Sequence, residues 1–299
     1  MYKTKQELLK ILDQYGLAAK KELGQNFLIN FGVIEKIVKA AGVTKEDFVV
    51  EVGPGLGVLT QELIQSAGRV RSIELDPTLH PILEQAFGAA PNFELEKGNA
   101  LKATLPTQPY KLVANIPYHI TSPLLRHFLM PRSNEEQKPT TIVLLIQKEV
   151  AEKICAPDGD HSVLSLSVQA HGKPEIISEV GAKNFYPPPK VTSAILKINI
   201  YDKPLITNLK LFSTITKITF AARRKTLLNT LKNYTRTSRE ETEDILQKAG
   251  IEPTRRPQTL SLKEWQSLIT QLDQGSELLF RPKNGGLGFL RKILSRMAS

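Results

Sequence analysis

The sequence predicts an α/β fold, a doubly wound and mostly parallel sheet, joined to a small all-helical domain. Three observations carry this expectation. Between residues 48 and 147 short apolar runs alternate with segments of helical periodicity, the pattern of βα units whose strands are covered on both faces. The first run, FVVEV, leads directly into Gly53-Pro54-Gly55-Leu56-Gly57, a tight strand-to-helix turn of the kind such sheets use. Beyond about residue 205 only helical spacing remains. The 299 residues suit two domains, 1–204 and 205–274, with a tail over 275–299.

Taken in order, Thr4 with Glu7 forms a capping box before Leu8, Leu9, Ile11 and Leu12, and Gly16 stops that helix. After KKELGQNFLIN, Val33, Ile34, Ile37 and Val38 give a second amphipathic helix ending near Gly42. Strands follow at 48–52, 70–75, 93–100, 111–116 and 141–147, separated by helices near 57–67, 78–87 and 122–130. PEIISEV and VTSAILKINI read as a hairpin-like pair closing the sheet edge. In the last third, one helix is expected near 208–233 with Phe212, Ile215, Ile218 and Ala222 on one face. A second is capped by Ser238 and Glu241 and stopped by Gly250, and a third is capped by Ser261 and Glu264 ahead of Trp265, Leu268, Ile269 and Leu272.

Composition narrows the function classes. With 41% hydrophobic and 23% charged residues the chain can bury a full core. The single cysteine, Cys155, makes no internal disulfide or cysteine-based zinc site. No apolar run approaches the roughly 20 residues of a membrane span, and MYKTKQELLK opens a polar helix and not a signal peptide. The expectation is a cytoplasmic protein, or an organellar one after removal of a transit peptide, with no membrane partner. The net charge of +10 is uneven: residues 1–204 hold 23 basic and 22 acidic side chains, residues 205–299 hold 17 and 8. A neutral part joined to a basic part suits chemistry in one domain and a polyanion grip in the other, although a merely solubilising basic surface has the same signature.

The glycine turn is informative through its context. The strand after it ends in Glu74, 21 residues beyond Gly53, so a nucleoside at the sheet's C-terminal edge can give its ribose hydroxyls to that carboxylate. The spacing G-x-G-x-G lacks the arrangement that presents a helix N-terminus to a pyrophosphate. That disfavours a dinucleotide and fits S-adenosyl-L-methionine, which has no phosphate. Asp76 is a competing ribose partner, and strand alternation puts Glu74 first.

At the end of the fourth strand stands Asn115-Ile116-Pro117-Tyr118, where an open α/β sheet places its reacting groups. An exocyclic adenine amine is a poor nucleophile because its lone pair is delocalised into the ring. Hydrogen bonds from its protons to the Asn115 side-chain oxygen and the Ile116 carbonyl favour a more tetrahedral nitrogen. Pro117 stiffens the turn and Tyr118 can stack on the base. The loop Asn184-Phe185-Tyr186-Pro187-Pro188-Pro189-Lys190 offers Phe185 as the other face of an extruded base; a proline-stiffened connection with core aromatics is the alternative.

These residues, together with Leu23-Gly24-Gln25-Asn26-Phe27-Leu28, EVGPGLG, NFYPPPKVTSA and Phe220-Ala221-Ala222-Arg223-Arg224-Lys225, carry a resemblance. From about Tyr15 to Leu272 the chain resembles the ribosomal RNA adenine dimethyltransferases, most closely the bacterial members that act on the small subunit. The resemblance implies a Rossmann-like class I methyltransferase sheet. It also implies transfer of two methyl groups to the N6 of each of two adjacent adenosines near the 3' end of 16S rRNA in the immature small ribosomal subunit. In that family the N-terminal segment closes over the cofactor, which puts binding roles on Gln25, Asn26 and Leu28, beside Gly53, Gly55, Glu74, Asn99 and Asn115. No metal is expected, since the sulfonium is already the electrophile, and no strong general base, since the neutral amine can attack first.

Two departures stand out. The usual third-strand acid is Asn99 here, an acceptor without charge, which bears on cofactor affinity. The tail from about Gln274 extends past the family's usual end; the alternatives are a short basic amphipathic helix that adds RNA or ribosome contacts and a frayed or packed tail of no specific function. Arg223, Arg224 and Lys225, expected on a solvent-facing helix surface, are candidate contacts to rRNA phosphates, with Arg255 and Arg256 as further ones. A monomer is expected. The rivals are a large-subunit rRNA adenine dimethyltransferase, a ribosome-assembly binding factor with secondary catalysis and, more weakly, a DNA adenine methyltransferase.

Overall fold

The computed structural model describes residues 4–130, 135–222, 224–235 and 237–274. Its contacts divide into two units. The first holds the described residues up to Ala156 together with Leu164–Pro204, and the second holds Pro157–Val163 and the described residues from Leu205 on. A linear cut at residue 204 therefore leaves out one loop. His161 N donates to the carbonyl of Gln258 at 3.0 Å, which ties that loop to the helical unit.

The first unit begins with α1 (Lys5–Gln14), where Thr4 and Glu7 form the expected capping box and Leu8 and Leu12 are buried. Next come β1 (Phe27–Leu28) and α2 (Phe31–Ala41), the latter closed by Gly42 at φ 56°. The alternating stretch is β2 (Phe48–Val52), α3 (Val58–Ser66), β3 (Arg69–Glu74), α4 (His80–Phe87), β4 (Phe93–Lys97), β5 (Lys111–Asn115), α5 (Thr121–Leu129) and β6 (Thr141–Gln147). Then follow α6 (Lys148–Ile154), α7 (Val163–Gln169), β7 (Gly172–Val180), β8 (Phe185–Tyr186) and β9 (Ser193–Ile200). The short α6 and α7 occupy a stretch for which the sequence pattern predicted no element.

The main sheet has the order β4-β3-β2-β5-β6-β9-β7. The five strands from β4 to β6 are mutually parallel, and β9 lies antiparallel between β6 and β7. The pair expected to close the edge does so with β9 inside and β7 outermost. Alternation within each strand builds two apolar layers. Val49, Val113, Val143 and Leu145 pack with Val33, Ile34 and Ile37 of α2 and Leu59 and Leu63 of α3. Val50, Leu112, Ala114 and Leu144 pack on the other face with Leu124, Leu125 and Phe128 of α5. From β2 the chain moves outward through β3 and β4, then returns to the other side for β5. The C-terminal ends of β2 and β5 therefore flank the point where strand order reverses, the place where such sheets bind ligands.

The second unit contains α8 (Leu209–Ala221), α9 (Leu227–Thr235), α10 (Arg239–Lys248) and α11 (Leu262–Gln274). Trp265 is fully buried, edge-on to Phe212 at 5.9 Å and stacked on Phe220 at 6.4 Å. The single helix expected near 208–233 is thus two helices. Leu227 N donates to the carbonyl of Arg255 at 2.8 Å, and Thr226 Oγ1 accepts from Asn229 N at 3.4 Å, so a tertiary hydrogen bond and a new cap interrupt an otherwise continuous pattern. No helix among the described residues is long and apolar enough to cross a membrane.

Candidate active site

A cavity of about 280 Å³ opens at the C-terminal ends of β2, β3 and β5, near the lower end of the roughly 300–1,000 Å³ of small-molecule clefts. Its walls come from four places: residues 23–28, the turn after β2, the ends of β3 and β4, and the turn after β5. Gln25, Asn26, Leu28, Gly53, Gly55, Glu74, Asn99, Asn115, Ile116, Pro117 and Tyr118 all line it.

The turn after β2 needs glycine for two separate reasons. Gly53, Gly55 and Gly57 have φ of 67°, 61° and 82°, the left-handed region that costs an L residue its usual freedom. At Gly57 a methyl group would also fall 2.4 Å from the Phe87 ring, so α3 and α4 can approach only without a side chain there. Three amides of the turn are satisfied internally: Gly53 N by the carbonyl of Ile73 (3.0 Å), Gly57 N by that of Pro54 (2.9 Å) and Gly55 N by Glu74 Oε2 (3.1 Å).

Glu74 is 5% exposed, and its Oε1 accepts from Asp76 N at 2.8 Å. Burial pushes its carboxyl above the ordinary value, while the two amide hydrogen bonds oppose that rise. Beneath the turn, Glu51 is 1% exposed, and one oxygen accepts from both Thr60 Oγ1 (2.7 Å) and Ser72 Oγ (2.6 Å). Burial pushes it to about 7. Asn99 Oδ1 accepts from Leu101 N at 2.9 Å, which fixes its amide while leaving a second lone pair.

Across the cavity, Asn115 is half-buried at the end of β5, and no hydrogen bond engages its amide among the described residues. Tyr118 Oη lies 2.7 Å from Ser193 Oγ, whose side chain is fully buried at the start of β9. Burial raises the Tyr118 phenol, and the contact with Ser193 opposes the rise.

Other residues singled out in the sequence stand as follows. Phe185 does not line the cavity: it is 3% exposed and packs with Leu28, Val180 and Ile195, because β8 pairs with β1 in the register Leu28↔Phe185. Gln25 reaches the cavity, but its side-chain amide is engaged by Asp76 and by the amide of Lys20. Asp76 faces this segment and does not line the cavity. Arg224 and Lys225 are exposed, but in the turn between α8 and α9 and not on a helix surface. Arg223 and the 275–299 tail lie outside the described residues. Arg255 pairs with Glu264 and donates to the carbonyl of Thr259, so its guanidinium is already engaged, whereas Arg256 is exposed.

Sequence reasoning missed Ser193, Leu75 and His119. Leu75 and His119 line the cavity, and Leu75 is 53% exposed. A leucine directly after the ribose-side acid was the available signal for Leu75. Among the described residues, no group of three or more His, Cys, Asp or Glu could hold a metal ion.

Comparison with known proteins fits this geometry. Residues 16–273 match the family model for ribosomal RNA adenine dimethylase. The chain is 45% identical over 267 residues to the ribosomal RNA small subunit methyltransferase A of Dehalococcoides mccartyi, covering 87% of this chain and 90% of that one. Among solved structures it is similar to a dimethyladenosine transferase from Plasmodium falciparum, with a TM-score of 0.73, 27% identity and coverage of 84% and 98%. It is also similar to the 23S rRNA methyltransferase ErmE, with a TM-score of 0.67, 29% identity and coverage of 83% and 100%. A family match over most of the chain, together with a cavity that joins a glycine turn to an Asn-Ile-Pro-Tyr turn, places the chain in the ribosomal RNA adenine dimethylase family.

Proposed function

We propose that the protein transfers methyl groups from S-adenosyl-L-methionine to the N6 of two adjacent adenosines near the 3' end of 16S rRNA, two to each, in the immature small ribosomal subunit. The observation that carries this reading is the convergence, in one cavity, of the buried Glu74 carboxylate with an Asn115 amide that has no partner among the described residues.

The donor side fits an adenosyl group. Glu74 is aimed by two backbone amides and accepts from ribose hydroxyls. The remaining lone pair of Asn99 Oδ1 takes the donor's adenine amine, and Leu75 offers a purine an apolar face. The internally satisfied amides of the glycine turn, next to a carboxylate, suit a ligand without phosphate. When bound, S-adenosyl-L-methionine supplies an electrophilic methyl on a positively charged sulfur.

The chain's part is to position the nucleophile. Asn115 Oδ1 and the Ile116 carbonyl accept the two protons of the target amine, so the nitrogen lone pair is freed from the ring and aimed. Pro117 sets the turn, and Tyr118, steadied by Ser193, stacks on the extruded base. In the helical unit, Arg224 and Lys225 with Arg223, and Arg256 beyond them, hold rRNA phosphates, with added contacts from the basic tail. The protein acts as a monomer in the cytoplasm.

The test is to incubate the protein with methyl-labelled S-adenosyl-L-methionine and, in parallel, undermethylated small subunits, naked rRNA, large subunits and DNA, and then to map the modified base. Dimethyladenosine at two adjacent positions of small-subunit rRNA, lost with Asn115→Ala, is expected. Label in large-subunit RNA or DNA, or tight subunit binding with no label, overturns the reading.

A further inference from the structure

Residues 23–28 form a continuous wall of the cavity, and the structure fixes the start of this segment from two sides. On one side the anchor is Asp76, whose side chain is 1% exposed and lies outside the cavity lining. Its Oδ1 accepts from Lys20 Nζ at 2.7 Å and its Oδ2 from Gln25 Nε2 at 2.9 Å. The segment is closed on itself as well, since Lys20 N donates to Gln25 Oε1 (2.9 Å) and Gln25 N to the carbonyl of Lys20 (3.2 Å).

The carboxylate has little freedom. Thr78 donates to Oδ1 from its amide (3.0 Å) and its hydroxyl (2.7 Å), which fixes the direction in which Asp76 presents its oxygens. Burial alone would raise the group. Hydrogen bonds from Lys20, Thr78 and Gln25 more than offset that and hold it at about 2, so it is an anion whenever the protein works. Between those two anchored residues, Gly24 (φ 64°) passes close to the Asn-Ile-Pro-Tyr turn. A methyl group there would lie 3.3 Å from His119 Nδ1 and 3.4 Å from Pro117 Cβ. The segment is thus a strap that bridges the turn after β3 and the turn after β5 along one wall of the cavity.

Asp76 also touches the donor side through its backbone, because its amide donates to Glu74 Oε1 at 2.8 Å. We propose that Asp76 is a positioning residue for methyl transfer: by gripping Lys20 and Gln25 it holds the Lys20–Leu28 strap over the methyl donor, from the same turn that aims Glu74 at the donor's ribose. This rests on the function proposed above. Asp76 touches neither donor nor base; it acts through the strap. Its effect therefore falls on retention of the donor and not on the chemical step, since the groups that orient the target amine belong to a different turn. An asparagine at position 76 would still accept from Thr78, but it would lose the ion pair and oppose one of the two strap donors with an amide of its own.

The test uses the full chain with undermethylated small subunits and varied S-adenosyl-L-methionine, comparing Asp76→Asn, Lys20→Met, the double variant and Lys20→Arg. Asp76→Asn is expected to raise KM for the donor about tenfold, with kcat at saturation within about twofold. Lys20→Met should do the same to a smaller degree, Lys20→Arg should restore most of the loss, and the double variant should be no worse than Asp76→Asn. Lys20 is 31% exposed at its side chain, so its variants remain informative if an Asp76 variant does not fold. An unchanged KM, or a fall in kcat at constant KM, overturns the proposal. If the wild-type protein transfers no methyl group, the functional reading fails, and amide hydrogen exchange of residues 21–27 without ligand still decides the strap. Faster exchange in the variants than in wild type sustains it, and equal exchange overturns it.

Discussion

The two sides of the cavity are built differently. On the side of β2 and β3 nearly every polar group already has a partner. Glu74 accepts two backbone amides, Glu51 accepts two buried hydroxyls, and the amides of Gly53, Gly55 and Gly57 are engaged by Ile73, Glu74 and Pro54. On the side of β5, Asn115 has no partner among the described residues and Tyr118 is steadied through one hydroxyl contact with Ser193. The wired side suits a small ligand that is the same in every turnover, because groups fixed in advance need no reorganisation when it binds. The open side suits a base drawn from a large RNA, whose own protons complete the set of hydrogen bonds.

Four measurements break or sharpen that contrast. The largest effect is expected at the open side: Asn115→Ala should lower kcat by roughly 10²–10³, the loss typical of a single group positioned for the transition state, with KM for the donor little changed and the circular dichroism spectrum intact. A comparable rise in donor KM would place Asn115 on the wired side instead.

Beneath the glycine turn, Glu51 has a folded-state value near 7 against an ordinary 4.5. Folding therefore favours its protonated form. The stabilisation is fully present below about pH 4.5 and is lost as pH rises through about 7, by up to roughly 3 kcal/mol. Glu51→Gln, which can still accept from Thr60 and Ser72, should flatten Tm over this window and melt above wild type at pH 8. Parallel curves for the two proteins would refute that origin.

Glu74→Gln should weaken donor binding about tenfold or more, by loss of charge-assisted acceptance worth roughly 1.5–3 kcal/mol. Calorimetric titration with S-adenosyl-L-methionine checks this, and kcat at saturation should move less than for Asn115→Ala. The smallest effect is expected for Ser193→Ala, which removes the partner of Tyr118. About 1 kcal/mol should appear as a several-fold lower kcat/KM for RNA at unchanged donor KM, and an equal loss in donor affinity would count against the assignment.

Legibility in the sequence followed distance along the chain. The glycine turn, Glu74 and Asn115 were readable because a strand, its turn and the next helix are contiguous, and alternation states which way a strand-end side chain points. Asp76 was ranked second for the ribose, and the structure finds it buried but turned toward Lys20 and Gln25, residues 56 and 51 positions away. Phe185 looked equally suited to a base or a core, and only its pairing with Leu28 decides for the core. Ser193 stood in a conspicuous motif, but its partner Tyr118 is 75 residues away. The break between α8 and α9 has no glycine or proline to announce it, since the interrupting bond comes from Arg255. Local physics gave the elements, and long-range pairing decided which side chains meet.

The placement of β9 between β6 and β7 governs the order in which a growing chain can complete itself. β7 emerges first, yet among the described residues its one partner strand is β9, so residues 172–180 wait for that partner until synthesis has passed residue 200. The same insertion delivers Ser193 to Tyr118. Nascent chains stopped before Ser193 should be cut by protease within 172–180, whereas chains extended through Pro204 should resist. Vectorial synthesis thus withholds the last support of the base-side turn until the whole sheet exists, and a truncated product should have neither a finished edge nor a finished site.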